Sequence, residues 1–191
     1  VQTCALPILF GDYNPSGKLP ISFPREEGQI PIYYNHFNTG RPAPNETATN
    51  YVSAYIDLKN SPKFPFGYGL SYTTFNYSDL QLSKKVMKKN ETITVSFTLT
   101  NTGKFDGEEV VQLYLKDQVG SVVRPVKELR DFQKVFLKAG ASQKITFTID
   151  KEKLAFYNAK LEWAPEPGAF EVQLGASSAD IRLKDSFELV F

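Results

Sequence analysis

Few residues in this chain have types able to do chemistry, and their spacing limits what they can do. Asp and Glu together number 21. Cleaving a glycosidic bond takes two carboxyl groups held at a set separation across it. Two adjacent acid pairs occur, Glu26-Glu27 and Glu108-Glu109. Neighbours on a strand point to opposite faces, so neither pair can flank one sugar. Their plain reading is solvated surface, and nothing marks any acid pair as catalytic. His36 is the single histidine and Cys4 the single cysteine. The usual zinc ligand sets are therefore missing, and Cys4 lacks a basic partner that would make it a nucleophile. No serine sits in a nucleophile-elbow pattern. His36 reads as a loop hydrogen-bonder. The sequence assigns no catalytic, cofactor-binding or metal-binding residue.

The run Gly11-Asp12-Tyr13-Asn14-Pro15-Ser16-Gly17-Lys18 has the outline of a phosphate loop. Its glycines are one residue too far apart, and Leu19 stands where Ser or Thr would hold magnesium. Pro15 also removes a backbone donor. A tight turn leading into an edge strand is expected instead.

The net charge of +1 gives no electrostatic footprint for nucleic acid or an anionic membrane, so neither is expected as a partner. The basic run Lys84, Lys85, Lys88 and Lys89 reads as a solvated turn or a guard on a sheet edge. No apolar run approaches the roughly 18 residues of a membrane helix. Val1 to Leu9 lacks the basic start and cleavage pattern of a signal peptide. With one cysteine, no intrachain disulfide can form.

Two regions must position whatever these residues do. Phe10 to about Phe75 is dense in Pro, Gly, Asn and aromatics, with eleven aromatics between Tyr33 and Tyr77. Pro15, Pro20, Pro24, Pro31, Pro42, Pro44, Pro62 and Pro65 forbid long helices and confine strands to edges. Leu19–Phe23 and Ile30–Tyr34 are the only candidate strands there. So broken a segment must lie on another surface. From Asn76 onward, alternation takes over. In Thr92–Thr100, Ile93, Val95, Phe97 and Leu99 share one face, the period of a half-buried strand. Val110–Leu115, Phe132–Leu137, Lys144–Ile149, Phe170–Leu174 and Ile181–Phe191 continue the series between turn residues. Short alternating strands of this spacing predict a mainly β fold, an antiparallel sandwich of about seven strands. Lys151–Tyr157 can add a helical turn capped by Asp150.

Tyr33, Tyr34, Tyr51, Tyr55, Phe64, Phe66, Tyr68 and Tyr72 form the least ordinary cluster. Aromatics can pack an interdomain seam or offer flat faces to sugar rings. The interleaved prolines and glycines favour the seam. Exposed tyrosines and Trp163 would instead suit a carbohydrate-binding sandwich module. Asn45, Asn76 and Asn90 begin glycosylation sequons at a frequency chance explains.

Four stretches resemble glycoside hydrolase family 3. Gly11 to Pro24, Gln29 to Tyr34 and Asn38 to Pro42 resemble its signatures, and Phe64-Pro65-Phe66-Gly67-Tyr68-Gly69-Leu70-Ser71-Tyr72-Thr73-Thr74-Phe75 is the most specific. Val95–Gly103, Glu108–Tyr114, Arg124–Leu129 and Glu166–Gly168 look like its fibronectin type III-like (immunoglobulin-like) terminal domain. The resemblance is nearest to the bacterial periplasmic β-glucosidase branch and covers Phe10 to Phe191. It implies a layout of a barrel bearing a nucleophilic aspartate, an α/β sandwich bearing an acid/base glutamate, and a final fibronectin-like domain. Both catalytic positions then lie upstream of Gly11. Residues 1–30 would be the terminal edge of the α/β sandwich domain, 31–75 a wrapping linker, and 76–191 the fibronectin-like domain. The apolar helix end the family carries at the start is poorly matched by Gln2, Thr3, Cys4 and Pro7. The implied parent is a retaining, periplasmic or extracellular β-glucosidase without cofactors. Its barrel and α/β sandwich are this piece's partners, and a β-glucoside or oligosaccharide is its substrate. His36, Asn38 and Arg41 are the candidates for reaching that substrate.

Overall fold

The computed structural model describes residues 2–46, 48 and 50–191. The Asn45 sequon needs Thr47, which lies outside the described residues, as does Val1.

The alternating runs become strands. β1 (Phe75–Leu82), β3 (Ile93–Asn101) and β6 (Ser142–Ile149) form one sheet in the order β1-β3-β6. β2 (Val86–Lys88), β4 (Gly107–Asp117), β5 (Glu128–Leu137), β9 (Gly168–Gly175) and β10 (Ile181–Val190) form the second, in the order β2-β10-β9-β4-β5. β7 (Phe156–Tyr157) and β8 (Trp163–Ala164) make a small ribbon. The ladders are antiparallel except β2 on β10, which is parallel.

The core lies between the two sheets. Ile93, Val95, Phe97 and Leu99 of β3 are fully buried, as the alternation requires. They meet Ile145, Phe147 and Ile149 from β6 and Val111, Leu113, Val172, Leu174, Phe187 and Leu189 from the opposite sheet. Tyr77 stacks on Phe97 at 5.4 Å, and Phe170 on Phe187 at 5.6 Å. Burying each such side chain stabilises by roughly 1.5–3 kcal/mol against the extended chain.

Asp150 caps the short helix α2 (Lys151–Leu154), its side chain accepting from the Lys153 N–H at 3.0 Å. The chain then leaves the helix and enters β7, so the helical turn ends sooner than the sequence suggests. The basic run surrounds β2, an edge strand. Lys84 pairs with Glu91 at 2.7 Å and Lys85 with Asp185. Lys88 lies within β2 and is exposed.

The Pro-rich region differs from expectation. Neither Leu19–Phe23 nor Ile30–Tyr34 forms a strand. Pro20, Pro24 and Pro31 supply no N–H to a ladder, so pairing shrinks to a bridge between Phe23 and Phe64. The first residues fold as helix α1 (Gln2–Phe10) with Pro7 inside. Gly11, at φ +85°, ends it with its N–H on the Ile8 carbonyl at 3.2 Å.

Candidate functional site

The segment from Asn14 to Tyr72 is fastened along the β4–β5 region, and two of the fastenings use the adjacent acids Glu108 and Glu109. Ser16 Oγ donates to Glu108 Oε2 at 2.9 Å, and Lys134 Nζ sits 2.6 Å from the same oxygen. Lys134, then Ser16, holds the Glu108 carboxyl below its ordinary range. Glu109, the neighbour on β4, is buried and pairs with Lys18 at 2.9 Å. The solvated-surface reading is therefore corrected for Glu109, while Glu108 stays partly exposed to solvent. Both carboxylates dock the segment through Ser16 and Lys18, where they are charge-assisted acceptors. Glu26 and Glu27 are exposed, at the start of a short 3-10 turn.

Asn14 knots the segment to itself and to the sandwich. Its amide donates to the Asp106 carbonyl at 3.0 Å, and its oxygen accepts from Ser71 Oγ and the Tyr72 N–H, each at 2.9 Å. The glycines of the Phe64–Phe75 motif permit close approach. A Cβ on Gly69 would stand 2.4 Å from the Gly17 carbonyl oxygen. Gly67 has φ +78°, and a Cβ there would stand 2.1 Å from Gln112 Oε1. Gln112 reaches out from β4, donating to the Gly67 carbonyl at 3.1 Å and the Ala176 carbonyl at 2.8 Å. Tyr114 donates to Gln112 Oε1 at 2.5 Å, and burial pushes its phenol well up from the usual value. Sequence reading missed this hub. Its signal was two glycines interleaved with aromatics, which mark backbone passing close to something.

The aromatics divide. Tyr34 stacks on Phe66 at 4.3 Å, meets Tyr114 edge-on at 5.8 Å, and accepts the Leu129 N–H at 3.2 Å. Phe64 packs on Tyr68 at 5.1 Å, and Tyr72 donates to the Ile8 carbonyl. These build a seam inside the chain. Tyr33 and Tyr51 face solvent, Tyr51 being 90% exposed.

His36, Asn38 and Arg41 lie on one exposed loop. The His36 carbonyl accepts from the Val126 N–H at 2.9 Å, and Phe37 bridges to Pro125, which anchors the loop's base to the sandwich. His36 Nδ1 is 2.9 Å from the Phe37 carbonyl oxygen. Asn38 Oδ1 accepts from the Gly40 N–H at 3.1 Å, and the Arg41 carbonyl from the Ser53 N–H at 2.8 Å. The three side chains share no hydrogen bond with one another. Ile56, further along the same excursion, is 96% exposed.

Beside the seam runs an open, mostly apolar groove of about 830 Å³, lined among others by Ile8, Tyr13, Leu19, Phe23, Phe64 and Leu70. Leu6, Leu9 and Phe10 of α1 are exposed nearby in the chain. Among the described residues no three His, Cys, Asp or Glu side chains converge as metal ligands, and no helix is long and apolar enough to cross a membrane.

This arrangement defines a class: a two-sheet β-sandwich wearing a docked, proline- and aromatic-rich segment. Residues 2–72 match the glycosyl hydrolase family 3 C-terminal domain, and residues 109–178 match the fibronectin type III-like domain. The chain belongs to glycosyl hydrolase family 3, in its C-terminal region. It is 52% identical to a periplasmic beta-glucosidase of Salmonella typhimurium, over 96% of this chain and 24% of that protein. It is 44% identical to a putative beta-xylosidase of Formosa agariphila, over 95% of this chain and 23% of the relative. The crystal structure of a beta-glucosidase from Listeria innocua in complex with glucose superposes with a TM-score of 0.92 at 44% identity, covering 98% of this chain and 26% of that one. The chain thus spans about a quarter of the length of these proteins.

Proposed function

We propose that this chain is the C-terminal brace of a longer β-glucosidase that removes terminal non-reducing β-D-glucosyl residues with retention of configuration. The single observation that carries the reading is the open apolar groove that α1 and the Asn14–Tyr72 segment present beside a fully packed sandwich. A surface of that kind calls for a covering partner. The rest of the parent chain, in this reading a barrel and the body of an α/β sandwich, supplies it. Residues 1–30 belong with the α/β sandwich, 31–75 link, and 76–191 form the fibronectin-like domain. The two reacting carboxylates lie in the covering domains, as the family resemblance implies; Glu108 and Glu109 of this chain are engaged in docking. The loop bearing His36, Asn38 and Arg41 projects toward the sugar at the mouth of the site. The parent works in the periplasm or outside the cell, a reading supported by the name of the Salmonella relative.

The piece alone is inactive. Purified chain incubated with an aryl β-glucoside gives no turnover above the uncatalysed rate. Turnover abolished by changing one of the chain's own acids would overturn the proposal. In the parent, Arg41→Ala raises KM for the glucoside more than it lowers kcat. An unchanged KM would remove the loop from the site. The β-xyloside is the competing substrate, and the ratio of kcat/KM for the two aryl glycosides decides between them.

A further inference from the structure

The loop that carries His36, Asn38 and Arg41 takes its position from the sandwich, at the turn between β4 and β5. The Val126 N–H donates to the His36 carbonyl at 2.9 Å, and Phe37 bridges to Pro125. Beyond that base the loop bonds to its own excursion, Asn38 to Gly40 and Arg41 to Ser53. Pro125 and Val126 are fixed in turn by the residue before them. Arg124 folds its side chain across the mouth of the β4–β5 turn, where it is 13% exposed. Its Nη2 pairs at 2.8 Å with Oε2 of Glu128, the first residue of β5. Its Nε stands 3.4 Å from Oδ2 of Asp117, the last residue of β4. Its guanidinium carbon lies 3.9 Å from the centroid of the Phe156 ring. Gly120 closes the turn over the arginine stem, since a Cβ there would stand 2.7 Å from Arg124 Cγ. Ser121 holds the other half of the turn, its N–H donating to Glu166 Oε2 at 2.9 Å.

Arginine is the side chain suited to all of these contacts. A guanidinium is planar and forked, so it lies flat on a ring while its edge meets two carboxylates, whereas an ammonium is a compact point charge. The Asp117 side chain is buried and depends on that cation. Burial pushes its carboxyl up from the ordinary range, and Arg124 draws it back. A buried charge without its partner is costly, so shortening Arg124 opens the turn rather than leaving it closed over a bare carboxylate. Pro125 passes such a shift to Phe37, and Val126 passes it to His36. We propose that Arg124 is a positioning residue for the parent's substrate: by locking the β4–β5 turn it sets where Asn38 and Arg41 stand, and through them the affinity for the glycoside. The proposal rests on the reading that this loop reaches the sugar. It gives the fibronectin-like domain a part in substrate binding beyond that of a brace.

Two measurements on the complete parent protein test it: amide hydrogen exchange read by mass spectrometry, and kcat and KM on an aryl β-glucoside. Arg124→Met speeds exchange in residues 36–41 and at Val126 about tenfold or more, while β3, the central strand of its sheet, stays protected. KM rises about fivefold or more, and kcat changes by less than about twofold. Arg124→Lys keeps the charge and most of the stem, and it moves both readouts the same way by a smaller factor. Because Arg124 acts through the loop, Arg124→Met adds little to the KM of Arg41→Ala, whereas two independent effects would multiply. The proposal is overturned if neither substitution at Arg124 moves KM, or if the effects multiply in the double variant. Unchanged exchange in residues 36–41 overturns it at the clamp. Faster exchange with KM unchanged in both Arg124→Met and Arg41→Ala overturns it at the underlying reading, because the loop is then remote from the sugar.

Discussion

Gly67→Ala isolates the hub that joins the linker to the sandwich. The substitution adds one methyl group, but two costs follow. At φ +78° an alanine pays about 1–2 kcal/mol for the left-handed conformation. Its Cβ would also fall 2.1 Å from Gln112 Oε1, and 2.8 Å from both Cδ and Nε2, so the glutamine must move. Gln112 is 3% exposed and holds the Gly67 and Ala176 carbonyls and the Tyr114 hydroxyl. Displacing it leaves buried polar groups unpaired, at about 1–3 kcal/mol. The expected loss is about 3 kcal/mol, or a fall in Tm of about 6–12 °C for a domain of this size. Denaturant unfolding followed by Trp163 fluorescence measures it. A double-mutant cycle separates the two costs. In a Gln112→Ala background the clash is gone, and Gly67→Ala then costs only the backbone term. A loss below about 1 kcal/mol, or strictly additive losses, would refute the reasoning.

Three further outcomes follow from the same contacts. Asn101 is fully buried, with its oxygen accepting from Thr73 and Gly103 and its amide donating to the Phe105 and Leu137 carbonyls, so Asn101→Ala costs about 2–4 kcal/mol in urea unfolding. Tyr34→Ala removes the ring between Phe66 and Tyr114 and loosens the linker; limited proteolysis within residues 36–63 speeds up before the sandwich unfolds. The Glu108 carboxyl is held below its ordinary value by Lys134 and Ser16, so its stabilisation is present above the unfolded-state value and fades as pH falls through the folded one. Glu108→Gln therefore flattens that part of the acid limb in a Tm-against-pH series, by a small amount because the site is exposed and screened.

The sandwich was legible because its strands alternate. Thr92–Thr100 placed Ile93, Val95, Phe97 and Leu99 inward, and all four are buried. β1 escaped notice because its alternation breaks. The register shifts between Ser78 and Gln81, and Asp79 takes φ +56°, so only the Phe75–Tyr77 end reads as a buried face. β2, β7 and β8 are too short to carry a period. In the Pro-rich segment, local pattern says what cannot form but not what the chain lies on. Leu19–Phe23 looks like a strand by side chains alone, yet its partner is a few backbone groups near Phe64 and Tyr68, far along the sequence. The roles of Glu108, Glu109 and Gln112 were hidden for the same reason, since their partners Ser16, Lys18 and Gly67 belong to another region. The family resemblance supplied what periodicity could not.

The central claim is that this chain supports a glycosidase without containing its reacting groups. The direct measurement is turnover of an aryl β-glucoside by the purified chain alone and by the complete parent protein. The account predicts activity in the parent and none in the chain. Turnover by the chain itself, lost when one of its own carboxylates is replaced, would contradict it.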